Sequence, residues 1–210
     1  MSMDHINFRL PPLVVGLLGK AGSGKTTAAK HMEAVYGAQR VSFAKPLKEM
    51  AKIIWEFTDE QVYGSTESKE TWDDRWNMTP RTAMQRLGTS ARQWLHPEVW
   101  IHAAFNGINT HYAKNPEDRL YVIDDVRFIN EVKAINDYGW TKGFVAQLVC
   151  SDVKSSADAS HPSEAEMDGI DKSLINKTVT SHRTPESVHL KCEIDALMKE
   201  DILPLLEKTK

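Results

Sequence analysis

Residues Gly19-Lys20-Ala21-Gly22-Ser23-Gly24-Lys25-Thr26 constrain this chain more than any other stretch. They fit the pattern of a glycine, four residues, then Gly-Lys-Thr, which is a phosphate-binding loop. The flanks agree with it. Leu13-Val14-Val15-Gly16-Leu17-Leu18 is a short apolar run of the kind that forms a buried strand, and Thr26 to Met32 reads as the first turns of a helix. Strand, glycine turn and helix start together make an anion cradle. The glycines let successive backbone N–H groups point inward, and the helix N-terminus adds partial positive charge. Gly19, Ala21, Gly22, Ser23, Gly24, Lys25, Thr26 and Thr27 are therefore the residues expected to hold ATP. Lys25 is placed to reach the β- and γ-phosphates, and Thr26 to ligate Mg²⁺ directly.

The rest of the chain alternates strand and helix patterns. That predicts an α/β fold, a mostly parallel sheet flanked by helices in three layers. Expected strands are 13–18, 40–43, 120–123, 144–149 and 174–180. Expected helices cover 24–36, 46–57, 80–95, 98–112 and 128–138, and another opens at Thr184-Pro185-Glu186 and is interrupted near Pro204. The pattern reads as a single domain over 1–210. Thr58 to Met78, polar and rich in charge and tryptophan, is expected as a surface insertion. Residues 151–165 are expected as a mobile lid loop, with Ser163 and Glu166 spaced as a capping box after it.

Composition narrows the function. With 210 residues and a net charge of −3, the chain has no overall basic field to draw in nucleic acid. The beginning of the chain shows no secretory signal, no apolar run approaches membrane-spanning length, and two cysteines, Cys150 and Cys192, suit a reducing compartment. A cytoplasmic protein with no nucleic-acid or membrane partner is expected, and a homodimer is allowed for. His161 and His182 have no partners at metal-ligand spacing.

A second group of residues suits a second anion. Arg81, Gln85, Gly88 and Arg92 fall at i, i+4, i+7 and i+11, one face of a helix. Guanidinium matches phosphate in a bidentate way, and Gln can read a base edge or a sugar hydroxyl. The competing reading is a solvated polar stripe. Asp124-Asp125-Val126-Arg127 follows a strand, at the carboxyl end where open α/β sheets bind ligands. Asp125 there can hold a water of Mg²⁺ or a sugar hydroxyl, and Arg127 can neutralise a transferring phosphoryl group. The competing reading makes the aspartates helix caps and pairs Arg127 with Glu131. Lys45 is a further candidate for substrate phosphate. Phe43, Trp72, Trp76 and Phe128 are candidates for stacking on a base.

Six segments occur in one order: Gly19 to Thr26, Ser42-Phe-Ala-Lys-Pro-Leu-Lys48, Met84-Gln-Arg-Leu-Gly-Thr89, Trp100, Asp125-Val-Arg127 with Glu131, and His161-Pro-Ser-Glu164. The series resembles the bacteriophage-type deoxynucleoside monophosphate kinases, over about Leu13 to Thr180. The resemblance implies a P-loop, nucleoside monophosphate kinase-like fold. It implies transfer of the γ-phosphoryl of ATP to a deoxynucleoside monophosphate, with Mg²⁺, in the cytoplasm of a host for a viral protein. Lys25, Asp125 and Arg127 would be catalytic. Phe43, Lys45, Trp72, Arg81, Gln85, Arg92, Asp125, Arg127 and Glu131 would serve the acceptor.

Two departures stand out. The family often has Asp after the loop lysine where this chain has Thr26. It often opens the lid with an arginine, where this chain has Cys150-Ser151-Asp152 and, as nearest cation, Lys154. Two other readings remain: a kinase of another small acceptor such as dephospho-coenzyme A, and a nucleotide-dependent switch. A GTPase switch would want Asn-Lys-x-Asp after a strand. Asn176-Lys177-Thr178-Val179 lacks the Asp.

Overall fold

A computed structural model describes residues 10–139, 143–152, 167 and 169–208. The expected lid beyond residue 152, with Lys154, the His161 to Glu164 segment and the Ser163–Glu166 capping box, lies outside the described residues. The chain divides into two compact units, Met1–Val41 with Ile108–Lys210, and Ser42–Gly107.

The first unit holds five strands: β1 (Leu13–Leu18), β2 (Gln39–Val41), β3 (Leu120–Val126), β4 (Phe144–Cys150) and β5 (Lys177–Ser181). All pairings are parallel, in the order β2-β3-β1-β4-β5. Helix α1 (Lys25–Tyr36) follows β1. It stops at Gly37, which takes the left-handed conformation, as the glycine in the sequence predicts; the Gly37 N–H donates to the Glu33 carbonyl and the Ala38 N–H to the Met32 carbonyl. On one sheet face Val15, Leu17, Val122, Ala146 and Leu148 pack against Ala28, Ala29 and Met32 of α1. Leu190, Ile194 and Leu197 of α8 (Val188–Leu197) join the same core. On the other face lies α7 (Ile129–Asn136), close enough that a Cβ at Gly16 would come within 2.6 Å of Ile135 Cδ1. This is the three-layer α/β P-loop fold.

Two details of this unit refine the sequence pattern. The C-terminal helix is interrupted near Pro204, as its proline suggests. A π-type turn over Met198–Ile202 separates α8 from α9 (Leu203–Lys208), with the Leu203 N–H reaching back to Met198 O. Pro204 has no N–H to give, so the ladder changes register before it. Strand β3 runs on through Asp124 and Asp125 to Val126 rather than stopping at Ile123.

A polar knot ties α8 to α1. Asp195 Oδ1 accepts from Tyr36 Oη at 2.8 Å and lies 2.7 Å from His31 Nε2. The His31 hydrogen bond, with Tyr36 adding to it, holds the Asp195 carboxyl below the usual aspartate range. Its folded pKa is thus lower than its unfolded one. The stabilisation it brings is complete above the ordinary aspartate value near 4 and fades as pH falls through the lower folded value. Urea unfolding of the natural chain and of Asp195→Asn should therefore show a stability gap at pH 6 that narrows toward pH 3.

The second unit contains α2 (Ala44–Trp55), α3 (Asp59–Tyr63), α4 (Thr66–Glu70), α5 (Pro80–Trp94) and the first part of α6 (Val99–Lys114). Helix α5 begins as expected: Thr79 accepts from Thr82 N and Pro80 takes the first helical position. The 58–78 segment folds as part of this unit. Val62 of α3 packs with Phe57, Ala51 and Ala83, and a short bridge joins Asp73 to Met78. Gly88 lets α2 approach α5 closely, because a Cβ there would sit 2.8 Å from Leu47 Cδ1. Trp100 Nε1 donates to the Gly88 carbonyl at 3.2 Å.

Candidate active site

The loop between β1 and α1 has the backbone that its glycines predict. Gly22 and Gly24 sit at φ 77° and 93°, the left-handed region that a side chain rarely adopts. At Gly24 a Cβ would also come within 2.5 Å of Leu190 Cδ2, and at Gly19 within 2.5 Å of the Leu148 carbonyl oxygen of β4. The loop is closed by Ser23 N donating to Lys20 O at 3.1 Å. Lys25 Nζ donates to the carbonyls of Gly19 and Lys20, so its amine lies back over the loop. Ala21 and Thr26 are exposed and Thr27 is half-buried. Ser23 is 4% exposed, and its buried Oγ has no hydrogen-bond partner, an orphan donor inside the cradle. Backbone N–H groups, an ammonium and two hydroxyls suit phosphate oxygens. The Thr26 hydroxyl and the β3 carboxylates are hard oxygen donors of the kind Mg²⁺ takes alongside phosphate.

The end of β3 is irregular. Gly16 pairs with Ile123 and Leu18 with Val126, so two residues of β3 oppose Leu17 alone. This is a β-bulge, and Asp124 and Asp125 take up the extra step. Val122 belongs to the core on the α1 face, while Val126 Cγ2 lies against Gly16 beside Ile135 on the α7 face. Residues an even number apart therefore point to opposite faces. The alternation is therefore broken across the bulge.

Asp124 is 12% exposed and bonded to Arg40 Nη2 at 3.2 Å. Asp125 is half-buried, and the Arg127 side chain is exposed just after the strand. Glu131 departs from the expected ligand contact. It is 3% exposed, and its Oε2 accepts from the backbone N–H of Arg127 at 2.8 Å and of Phe128 at 3.0 Å. Glu131 thereby fixes the turn that carries Arg127 through the backbone. Glu131→Ala would strand two backbone donors. It should lower stability by about 1–3 kcal/mol in thermal or urea melts.

In the second unit Phe43 corrects its expectation. It is 2% exposed and packs 6.1 Å from the Phe105 ring, so it is a core aromatic, not a base platform. Trp72, by contrast, is 56% exposed. Trp76 donates its Nε1 to Trp55 O. Lys45 is exposed in the first turn of α2, and Gln85 is exposed on α5. Arg92 is half-buried and turns back along α5, with Nη1 3.7 Å from where a Gly88 Cβ would be.

Arg81 belongs to a cation cluster around Lys69 that the spacing of residues did not reveal. It pairs with Glu70 of α4. Next to Glu70, Lys69 donates Nζ to Gly64 O at 2.6 Å. Next to Gly64, the Tyr63 ring carries Lys48 Nζ at 4.8 Å. Burial lowers the Lys69 pKa, and the charges of Lys48 and Arg81 lower it further. Three cations thus converge from α2, α4 and α5. Lys48 lies one turn beyond the predicted Lys45, and Lys69 lies inside the segment read as a surface insertion.

A protein of Acanthamoeba polyphaga mimivirus, provisionally named a deoxynucleotide monophosphate kinase, is 38% identical over 167 residues, 75% of this chain and 83% of its own length. The chain belongs to the deoxynucleoside monophosphate kinase family. The deoxynucleoside-5′-monophosphate kinase of Escherichia phage T5 is 25% identical over 247 aligned positions, 87% of this chain and 97% of the phage protein. No protein-family model matches the chain. Solved structures similar to this family member include TT1252 from Thermus thermophilus, at TM-score 0.48 and 15% identity over 93% of this chain and 98% of that one. A shikimate kinase from Acinetobacter baumannii matches at TM-score 0.45 and 13% identity over 93% and 97%. Among the described residues no helix is long and apolar enough to cross a membrane.

Proposed function

We propose that this family member transfers the γ-phosphoryl group of ATP to a deoxynucleoside 5′-monophosphate, giving the diphosphate and ADP. One observation supports the reading: the Gly19–Thr26 loop and the Lys48–Lys69–Arg81 cluster are each chemically suited to a phosphate. A chemistry with two phosphate-bearing substrates needs both. The names of the mimivirus and phage T5 relatives support the same acceptor class and weigh against dephospho-coenzyme A and against a switch.

In this reading ATP lies on the loop, with Lys25 on its β- and γ-phosphates. Thr26 and, through a water, Asp125 would hold the Mg²⁺ that accompanies it. The ion would draw charge from the phosphate oxygens. The acceptor phosphate is held by Arg81 with Lys48 and Lys69, while Gln85 and Trp72 meet the nucleoside. Lys45, Arg92, Asp125 and Arg127 are the remaining candidates for acceptor contact. An acceptor phosphate oxygen attacks the γ-phosphorus as its bond to the ADP oxygen breaks, so the chain's work is positioning and charge neutralisation.

Incubation with ATP, Mg²⁺ and each deoxynucleoside and ribonucleoside monophosphate tests it. Diphosphate should form with at least one deoxynucleotide and faster than with its ribonucleotide. No diphosphate from any deoxynucleotide overturns the reading, and transfer to dephospho-coenzyme A in the same panel replaces it.

A further inference from the structure

The β-bulge at the carboxyl end of β3 holds two consecutive carboxylates, Asp124 and Asp125. The neighbouring strand β1 ends at Leu18, level with Val126, and passes directly into Gly19 of the phosphate loop. Each strand residue advances the chain by about 3.3 Å, so Asp124 lies within a few residues' rise of the loop. An anion bound there would meet two adjacent negative charges. Arg40, on edge strand β2, intervenes. Its Nη2 donates to Asp124 Oδ2 at 3.2 Å, and its Nη1 lies 3.6 Å from Glu33 Oε2 on α1. Arg40 pairs in register with Val122, two residues before Asp124 on the same strand. The guanidinium thus bridges β3 to the helix that the loop feeds, and its Asp124 partner is largely withdrawn from solvent.

We propose that Arg40 is a positioning residue that neutralises Asp124, so that one of the two bulge carboxylates adds no net charge beside the triphosphate. The inference rests on the reading that ATP binds the Gly19–Thr26 loop. It explains how the chain keeps a second aspartate at a strand end aimed toward a polyanion. In this arrangement Arg40 silences Asp124.

Direct calorimetric titration with ATP, without acceptor, tests it, with and without Mg²⁺. Arg40→Met should weaken ATP affinity on the order of three- to tenfold, the size of one uncompensated charge at this range, with the acceptor KM unchanged. Arg40→Lys should restore most of the loss. Arg40→Met/Asp124→Asn should restore it too, because Asp124 then carries no charge to silence, and Glu33, on the exposed side of α1, is left to solvent. Asp124→Asn alone keeps Arg40 and should bind ATP as tightly as the natural chain or more tightly. This single variant decides the matter even where Arg40→Met does not fold. Unchanged ATP affinity in folded Arg40→Met overturns the proposal. So does weaker Mg²⁺-dependent binding by Asp124→Asn, which would make Asp124 a cation ligand. The outcomes separate from those of the kinase reading: ATP binding that follows this pattern with no transfer to any monophosphate sinks the kinase and keeps Arg40's role.

Discussion

Lys25→Ala should abolish phosphoryl transfer, lowering kcat by about 10³-fold or more in a coupled ADP-release assay. Its ammonium donates to the carbonyls of Gly19 and Lys20, which lie in the same loop. Those bonds can be exchanged for phosphate oxygens without disturbing the fold, since the backbone is set by Gly22 and Gly24 and by the close approach at Gly19. The variant should therefore melt within a degree or two of the natural chain while losing turnover. Lys25→Arg is not a rescue, because a planar fork replaces a point charge. A Lys25→Ala protein that keeps most of its turnover removes the lysine from the mechanism.

Arg81→Ala should raise the KM for the deoxynucleotide by about 10²-fold and leave ATP binding unchanged. A guanidinium held by Glu70 is oriented before substrate arrives, which reduces the ordering cost of binding. Lys69→Met should act in the same direction and more weakly, since Lys69 already donates to Gly64 O. Steady-state kinetics with each substrate varied in turn will show this. An equal loss for ATP and acceptor would point to general unfolding, and no loss for the acceptor would remove the cluster from the site. Arg81→Lys should recover only part of the affinity, because it restores charge without the bidentate fork.

Much of this follows from local rules. β1, the loop and α1 needed only the apolar run, three glycines at φ angles other residues avoid, and Gly37 as the stop. The start of α5 needed only Thr79 and Pro80. These signals are short-range, so they are legible in a linear chain. The acceptor cluster was legible in part. Arg81 could be found by helical spacing, because its neighbours on the face lie on the same helix. Lys48 and Lys69 could not, because they come from α2 and α4, and only the folding of this unit brings those helices near α5. Phe43 looked like a base platform, yet the packing around Phe105 buries it. An aromatic residue carries no local mark of which of these it will be.

The contrast is sharpest at Asp124 and Asp125. From sequence alone they are adjacent acids at a strand end, and strict alternation would send them to opposite faces. The phosphate loop, its flanking strand and helix, and the α/β class were determined by the sequence itself, through backbone preferences that act over a few residues. The tertiary structure alone decided that a bulge against Leu17 breaks the alternation, that Arg40 from another strand takes up Asp124, and that Glu131 holds the Arg127 turn. Those outcomes depend on strand register and on charges that meet only after the sheet has formed, and neither is encoded in the spacing of neighbouring residues.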